Sequence, residues 1–106
     1  MTRLSDDEIR RRLKHLSGWK LKSNTIEKEF ERKDFFSAME FIDEIRDHAK
    51  RFDHYPDIYI HRERWVRITL STHDEQGVTD KDFVLAKLID SFAFTENIPD
   101  LSKTRN

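Results

Sequence analysis

The sequence predicts an α+β domain, with a four-stranded antiparallel sheet, two long helices packed on one face and a short N-terminal helix. Two long segments repeat apolar residues at three- and four-residue spacing, and four shorter segments alternate apolar with polar residues. Their order along the chain is helix, strand, strand, long helix, strand, strand, helix. Packing both long helices against one side of the sheet buries all of these apolar faces together.

Length and composition indicate one small folded unit. The chain has 106 residues, of which 36% are hydrophobic and 39% charged, and it contains eight Phe, two Trp and two Tyr. This aromatic content is typical of a folded domain rather than of a disordered, charge-rich segment. We expect the domain to cover residues 1–96 and a C-terminal tail to follow at 97–106. A domain of this size has a thin core, which favours association with further copies.

The composition also disfavours several classes of protein. The 20 Lys and Arg residues against 21 Asp and Glu give a net charge of −1, which argues against a nucleic-acid partner because such binding needs a basic face. The absence of cysteine excludes disulfides and sulfur-ligated metal sites. No apolar run approaches ~20 residues, and the first residues lack the apolar centre of a signal peptide. We therefore expect a cytoplasmic protein with no membrane association.

The first helix is predicted for residues 6–15. Ser5 and Glu8 form a capping box, in which each side chain can bond a free backbone amide at the start of the helix. Gly18 can end the helix in a left-handed turn.

Four segments have the alternation of strands with one wet face: residues 19–22, 25–31, 58–61 and 65–71. Ser23 and Asn24 offer a two-residue turn between the first pair. The second pair is joined around Arg62 and Glu63. These segments supply the four strands of the predicted sheet.

Each long helix has a cap residue and an apolar stripe. Asp34 can cap the first, and Pro56 stops it before the next strand. Its stripe contains Phe35, Ala38, Met39, Phe41, Ile42, Ile45, Ala49 and Phe52. Thr79 can cap the second, with Asp82 in the first turn, where the helix dipole favours a negative charge. Its stripe contains Phe83, Leu85, Ala86, Leu88, Ile89, Phe92 and Ala93.

Five histidines are candidates for acid–base chemistry near neutral pH. His54 directly follows the long helix and His73 follows the last strand, and functional side chains commonly lie in such loops. His15 lies near the end of the first helix, where a cation suits the helix dipole, and His48 and His61 are expected to face solvent. The sequence has no His-Glu-x-x-His pattern, Walker loop, nucleophile elbow or dinucleotide fingerprint. Spacing alone therefore predicts an α+β domain suited to acid–base work and disfavours a metal-dependent hydrolase.

Three motifs in the sequence carry a family resemblance: Asp53-His54-Tyr55-Pro56, Ile68-Thr69-Leu70-Ser71-Thr72-His73 and Gly77-Val78-Thr79-Asp80-Lys81-Asp82. Upstream, Gly18-Trp19 precedes the first strand, and Phe30-Glu31-Arg32-Lys33-Asp34-Phe35 leads into the long helix. With these motifs and this order of elements, residues 4–93 resemble the pterin-4a-carbinolamine dehydratase family.

The resemblance implies a homodimeric or homotetrameric lyase that dehydrates 4a-hydroxytetrahydropterin to quinonoid dihydropterin and so recycles the tetrahydrobiopterin cofactor of aromatic amino-acid hydroxylases. It implies no metal and no organic cofactor. By match to the family's motifs, His54 and His73 are the catalytic imidazoles, one acting at the leaving hydroxyl and one at the ring nitrogen. Tyr55, Pro56 and Asp82 are expected to bind the substrate, although the position of Asp82 also suits helix capping.

The chain departs from the family pattern at three places. Tyr55 stands where the family usually has His or Asn, and a tyrosine is a poor base at neutral pH. Lys50 stands where an acid is common and reverses the local charge, and Glu63 stands where an aromatic residue is typical. These departures leave a second hypothesis open, a pterin-binding or assembly protein on the same scaffold with weak or absent turnover.

Overall fold

A computed structural model, which describes residues 2–97, confirms the predicted fold class. The elements follow one another in this order: α1 Asp6–Leu13, β1 Lys20–Lys22, β2 Thr25–Glu31, α2 Phe35–Phe52, β3 Asp57–His61, β4 Trp65–Leu70, a 3-10 turn His73–Glu75 and α3 Asp80–Asn97. Asn97 is thus the last residue of α3, and the rest of the predicted tail lies outside the described residues. No helix within the described residues is both long and apolar enough to cross a bilayer.

The sheet has the strand order β1-β2-β4-β3, and every pair is antiparallel. The register places Glu29 of β2 opposite Arg67 of β4, and Ile58 of β3 opposite Ile68 of β4. One face of the two central strands is buried and consists of Ile26, Phe30, Val66, Ile68 and Leu70. This face packs against α2 and α3, as the alternation of the sequence predicts.

The core joins the sheet to both long helices through aromatic side chains. Phe41 of α2 is fully buried, and its ring centroid lies 5.0 Å from that of Phe30 on β2 and 5.7 Å from that of Phe92 on α3. The indole Nε1 of Trp19 donates to the Asp90 carboxylate of α3 at 3.0 Å. These contacts fix α3 over the sheet, and α3 carries part of the functional site.

Helix α1 ends at Leu13, two residues before the predicted end at His15. The reason lies in the backbone hydrogen bonds after Leu13. The amide of Lys14 donates to the carbonyl of Arg11, and the amide of His15 donates to that of Arg12, which is the tighter 3-10 pattern. Gly18 follows with a φ of +86°, so the left-handed turn is present but lies beyond the helix.

The apolar stripe of α2 is wider than the surface that covers it. Phe35, Met39 and Phe52 were expected in the core, yet they are 46%, 39% and 45% exposed. His48 is more buried than expected. Its ring does not face solvent but stacks on that of Phe92, with 5.2 Å between the centroids. Phe92 of α3 thus covers His48, whereas Phe35, Met39 and Phe52 are only partly covered.

The open face of the sheet holds a network around Glu29. Its carboxylate accepts from His61 Nε2 at 2.9 Å and from Arg67 Nε at 2.7 Å. The His61 ring stacks on Tyr59 and on Trp65, so His61 lies on the solvent-facing side of the sheet but is half-buried by its neighbours. Burial opposes the charge on Glu29, but the two hydrogen bonds outweigh it and lower the pKa of this carboxyl below its ordinary value.

Candidate functional site

A cleft of about 270 Å³ lies where α2 ends, β4 ends and α3 begins. Its lining is mostly polar and is formed by Asp53, His54, Tyr55, Ser71, Thr72, His73, Asp74 and Lys81. His54 and His73 therefore line the same cleft, although they come from different parts of the chain. We describe this cleft as the candidate site.

The end of α2 turns His54 inward. Asp53 adopts the left-handed conformation with a φ of 54°, which Asp tolerates better than most residues, and it ends the helix. The amide of His54 then donates to the carbonyl of Ala49 at 3.1 Å. As a result the imidazole is 9% exposed and lies at the buried wall of the cleft.

His73 lies in a closed loop after β4. Thr72 and Gly77 form a backbone bridge across this loop, and the amide of Thr72 donates to the carbonyl of Gly77 at 2.8 Å. The side chain of Arg3 packs against Gly77, in the space that a Cβ at this position would take. His73 opens the 3-10 turn inside the loop and is exposed at the edge of the cleft.

Asp82 connects the three segments that form the cleft. It is fully buried, and its Oδ1 lies 2.5 Å from Nε2 of His54. Its Oδ2 accepts from the hydroxyl of Thr72 and from the backbone amide of Thr79, each at 2.9 Å. With Asp82 as a carboxylate, which can only accept, the proton of this hydrogen bond is on Nε2 of His54, and Nδ1 is the ring nitrogen left to a ligand.

The hydroxyl groups of Thr72 and Thr79, next to Asp82, form hydrogen bonds whose donors can be identified. Thr72 donates its hydroxyl proton to Asp82, so in the 2.7 Å contact between the two hydroxyls Thr79 must be the donor. The hydroxyl of Thr79 in turn accepts from the backbone amide of Lys81, which is the predicted cap of α3. The site is thus held by a directed chain of hydrogen bonds that ends on Asp82.

The structure places the predicted site residues in different environments. His54, His73 and Tyr55 line the cleft, with Tyr55 59% exposed. Pro56 is half-buried and does not line it. Asp82 was also expected to bind the substrate, but it has no exposed surface, does not line the cleft and contacts the lining residue His54. Its hydrogen bond to the Thr79 amide also provides the predicted capping of α3.

The other departures from the family pattern lie away from the cleft. Lys50 is exposed on α2 and is not among the lining residues. Glu63 occupies the loop between β3 and β4 with a φ of 69°, again outside the lining. Only Tyr55 therefore changes the chemistry of the cleft itself.

Sequence reasoning missed Lys81 and Thr72 as residues of the site. Lys81 lies immediately before Asp82 inside a quoted motif, and Thr72 immediately before His73. Their proximity to the predicted residues was the available signal. Within residues 2–97, no three His, Cys, Asp or Glu side chains converge as a group that could hold a metal ion. The polar groups of the cleft suit proton transfer and hydrogen bonding to a planar ligand.

The chain is similar to known proteins in sequence and in fold. A protein from Sulfolobus acidocaldarius, whose name provisionally assigns it to the pterin-4-alpha-carbinolamine dehydratases, is 44% identical over 87 residues, which cover 82% of this chain and 94% of that protein. The crystal structure of a transcriptional coactivator/pterin dehydratase from Brucella melitensis superposes with a TM-score of 0.82 at 32% identity, covering 87% of this chain and 99% of the other.

A more distant structure shares the fold alone. It is a pterin dehydratase-like protein identified as a RuBisCO assembly factor in the alpha-carboxysome, with a TM-score of 0.61 at 20% identity over 74% of this chain and 93% of the other. The family model described as pterin 4 alpha carbinolamine dehydratase matches residues 2–92. The chain belongs to the pterin-4a-carbinolamine dehydratase family.

Proposed function

We propose that this protein dehydrates pterin-4a-carbinolamine to quinonoid dihydropterin. In this reaction the bond between C4a and the hydroxyl oxygen breaks, N5 loses its proton and a double bond forms between C4a and N5. The hydroxide leaves as water once it has received a proton. The enzyme therefore needs one group that takes a proton and one that gives a proton, both within reach of a single ring edge.

The observation that carries this proposal is the common cleft of His54 and His73. We assign His54 as the base, which takes the N5 proton on Nδ1. The Asp82 carboxylate at Nε2 then stabilises the imidazolium that forms. We assign His73 as the acid, because its exposed ring can receive a proton from solvent and pass it to the leaving hydroxide.

The remaining lining residues suit recognition of the pterin ring. Lys81 carries an ammonium donor, and Tyr55 carries a hydroxyl, which together can bond the ring's carbonyl oxygen and nitrogens. Pro56 contributes indirectly, because a residue before proline is held extended and Tyr55 is thereby kept over the cleft.

The test is the rate of carbinolamine dehydration above the uncatalysed background. His54→Ala and His73→Ala should each lower this rate roughly 10²–10⁴-fold, the usual contribution of a general acid or base. His15→Ala is the matched control, since His15 is exposed after α1 and lies outside the cleft. Unchanged rates in both cleft variants would refute the assigned roles.

A second candidate function is pterin-dependent binding or assembly without turnover. Tyr55 supports it, because a phenol in the cleft replaces an imidazole or amide of the family pattern. The fold shared with a RuBisCO assembly factor shows that the scaffold occurs in an assembly protein. Pterin binding with no dehydration above background would favour this candidate, and Tyr55→His would then be expected to raise turnover.

We also propose that the protein is a cytoplasmic homodimer or homotetramer. The edge strand β3 supports this proposal, because Ile58 and Tyr59 are 36% and 55% exposed and its outer edge pairs with no strand among the described residues. Phe36 near the start of α2 is 76% exposed and offers a further apolar contact. Sedimentation equilibrium tests the state, and a monomer at micromolar concentration would contradict it.

A further inference from the structure

A second cavity of about 220 Å³ adjoins the cleft. It lies between Phe52, the last residue of α2, and the first two turns of α3. Its walls are formed by Phe52, His54, Asp80, Lys81, Val84 and Leu85. In contrast to the polar cleft, its accessible lining is almost entirely carbon. The proton transfers assigned above do not use this apolar cavity.

The apolar cavity and the cleft are adjacent. His54 and Lys81 line both of them, so a ligand that lies against His54 in the cleft lies next to the apolar cavity. Phe52 and Val84 form the outer walls and are 45% and 52% exposed, whereas Leu85 forms a buried wall at 1%. The cavity therefore opens at the surface between Phe52 and Val84, beside the residues that it shares with the cleft.

The covalent structure of a pterin indicates which group this is. N5 is bonded to C4a on one side and to C6 on the other. A substituent on C6 is attached to the ring atom next to N5. If His54 takes the N5 proton, this substituent therefore lies near His54, which lines both the cleft and the apolar cavity. The ring, which carries the hydrogen-bonding atoms, remains in the polar cleft.

We propose that the apolar cavity is the subsite for the C6 substituent and that the protein prefers pterins whose substituent is apolar. This inference rests on the proposed function. A methyl group would contact Phe52 and Val84 with no loss of hydrogen bonds. The hydroxyls of a dihydroxypropyl group would exchange water for a lining that is almost entirely carbon, and Oδ1 of Asp80 in that lining is already bonded to Arg12.

The first experiment compares two carbinolamines, one with methyl and one with 1,2-dihydroxypropyl on C6. The wild-type kcat/KM should favour the methyl substrate by about tenfold, the discrimination that an apolar pocket usually provides. Affinities for the two corresponding 7,8-dihydropterins, which cannot be dehydrated, should show the same order. Equal values or the reverse preference in both assays would overturn the subsite.

Two variants locate the preference in the cavity. Phe52→Ala should reduce the ratio of kcat/KM for the methyl and dihydroxypropyl substrates towards one, whereas Phe35→Ala should leave this ratio unchanged. These two residues are a matched pair, since they lie at opposite ends of α2 and are 45% and 46% exposed. Val84→Thr keeps the side-chain shape, adds a hydroxyl and should shift the preference towards the dihydroxypropyl ligand. An equal shift in Phe35→Ala and Phe52→Ala would overturn the proposal.

The outcomes separate this inference from the proposed function. Methyl-selective binding without turnover contradicts the dehydratase and supports the subsite. Turnover without selectivity contradicts the subsite alone, and the absence of both binding and turnover contradicts both. NMR resonances of Phe52 and Val84 should move with pterin concentration. If they move only with protein concentration, a second copy covers the cavity and the subsite is overturned.

Discussion

His54 and Asp82 lie 28 positions apart in the sequence, yet Nε2 of the imidazole and Oδ1 of the carboxylate are 2.5 Å apart in the interior. The pair is backed by the hydroxyl of Thr72 and the amide of Thr79, which occupy the other carboxylate oxygen. The imidazole is thereby held in one tautomer, with Nδ1 left to a ligand. Both the fixed tautomer and the nearby carboxylate would help His54 to accept a proton from N5 of a pterin.

Asp82→Asn should lower dehydration roughly 10²–10⁴-fold while the protein remains folded. The amide oxygen can still accept from Thr72 and Thr79, which turns the amide NH₂ towards His54. Nε2 must then accept, and the ring proton moves to Nδ1, where it blocks proton transfer. Nitrogen NMR of the His54 ring reads the tautomer directly.

Asp43→Asn is the control for this variant, because it removes an exposed carboxylate from α2 far from the cleft. Its rate should match that of the wild type. An Asp82→Asn protein with the wild-type rate and the wild-type tautomer would contradict the positioning role.

Thr72→Val removes one of the three donors to Asp82 without changing the shape of the side chain. The free energy of unfolding should fall by about 1.5–3 kcal/mol, as for a hydrogen bond to a charged group. The loss of rate should be smaller than in Asp82→Asn, because the Thr79 amide still holds the carboxylate. Urea unfolding measures the change in the free energy of unfolding. The control Thr69→Val, on the open face of the sheet, should leave this free energy almost unchanged.

Stability at acid pH should depend on Glu29. Folding lowers the pKa of this carboxyl below its ordinary value of 4.5, since His61 and Arg67 outweigh the effect of burial. Its contribution is therefore complete above about pH 4.5 and is lost as the pH falls through the folded pKa. The side chain is 37% exposed, so the effect should stay below about 1 kcal/mol.

The comparison for Glu29 is Glu29→Gln, measured by urea unfolding at pH 7 and at pH 3. The difference in unfolding free energy between wild type and variant should shrink at the lower pH. A difference that stays constant or grows would contradict the ion pairs on the open face.

Phe41→Ala should remove a large share of the stability of the fold. The side chain is fully buried and contacts Phe30 and Phe92, and truncation of a buried Phe costs about 3–5 kcal/mol. Small domains have only about 5–15 kcal/mol in total. Glu40→Ala, at an exposed position on the same helix, should change the unfolding free energy by less than about 0.5 kcal/mol. Thermal and urea unfolding of both variants test the prediction.

The elements could be predicted from sequence because their signals are local. Ser5 and Asp34 accept the amides three residues ahead of them, as helix caps do, and the alternation of residues 25–31 gives one buried face. Such patterns do not show how much of a helix its neighbouring elements cover. Phe52 belongs to an apolar stripe by spacing, but the stripe runs past the part of α2 that is covered, so its ring reaches the apolar cavity.

The functional roles could be predicted only in part. His54 and His73 could be singled out by their positions after regular elements and by their motifs. The contact of Asp82 with His54 could not be predicted, because capping of α3 already explains an acid in the first turn of this helix. This contact arises only when the end of α2 meets the start of α3, which no local pattern encodes.

The central claim is that His54 and His73 act on one ligand, and a double-mutant cycle tests it most directly. Dehydration rates are measured for the wild type, His54→Ala, His73→Ala and the double variant. Residues that act as a unit are strongly non-additive, so the double variant should lose hardly more activity than the poorer single variant. Two single variants that both retain the wild-type rate would contradict the account.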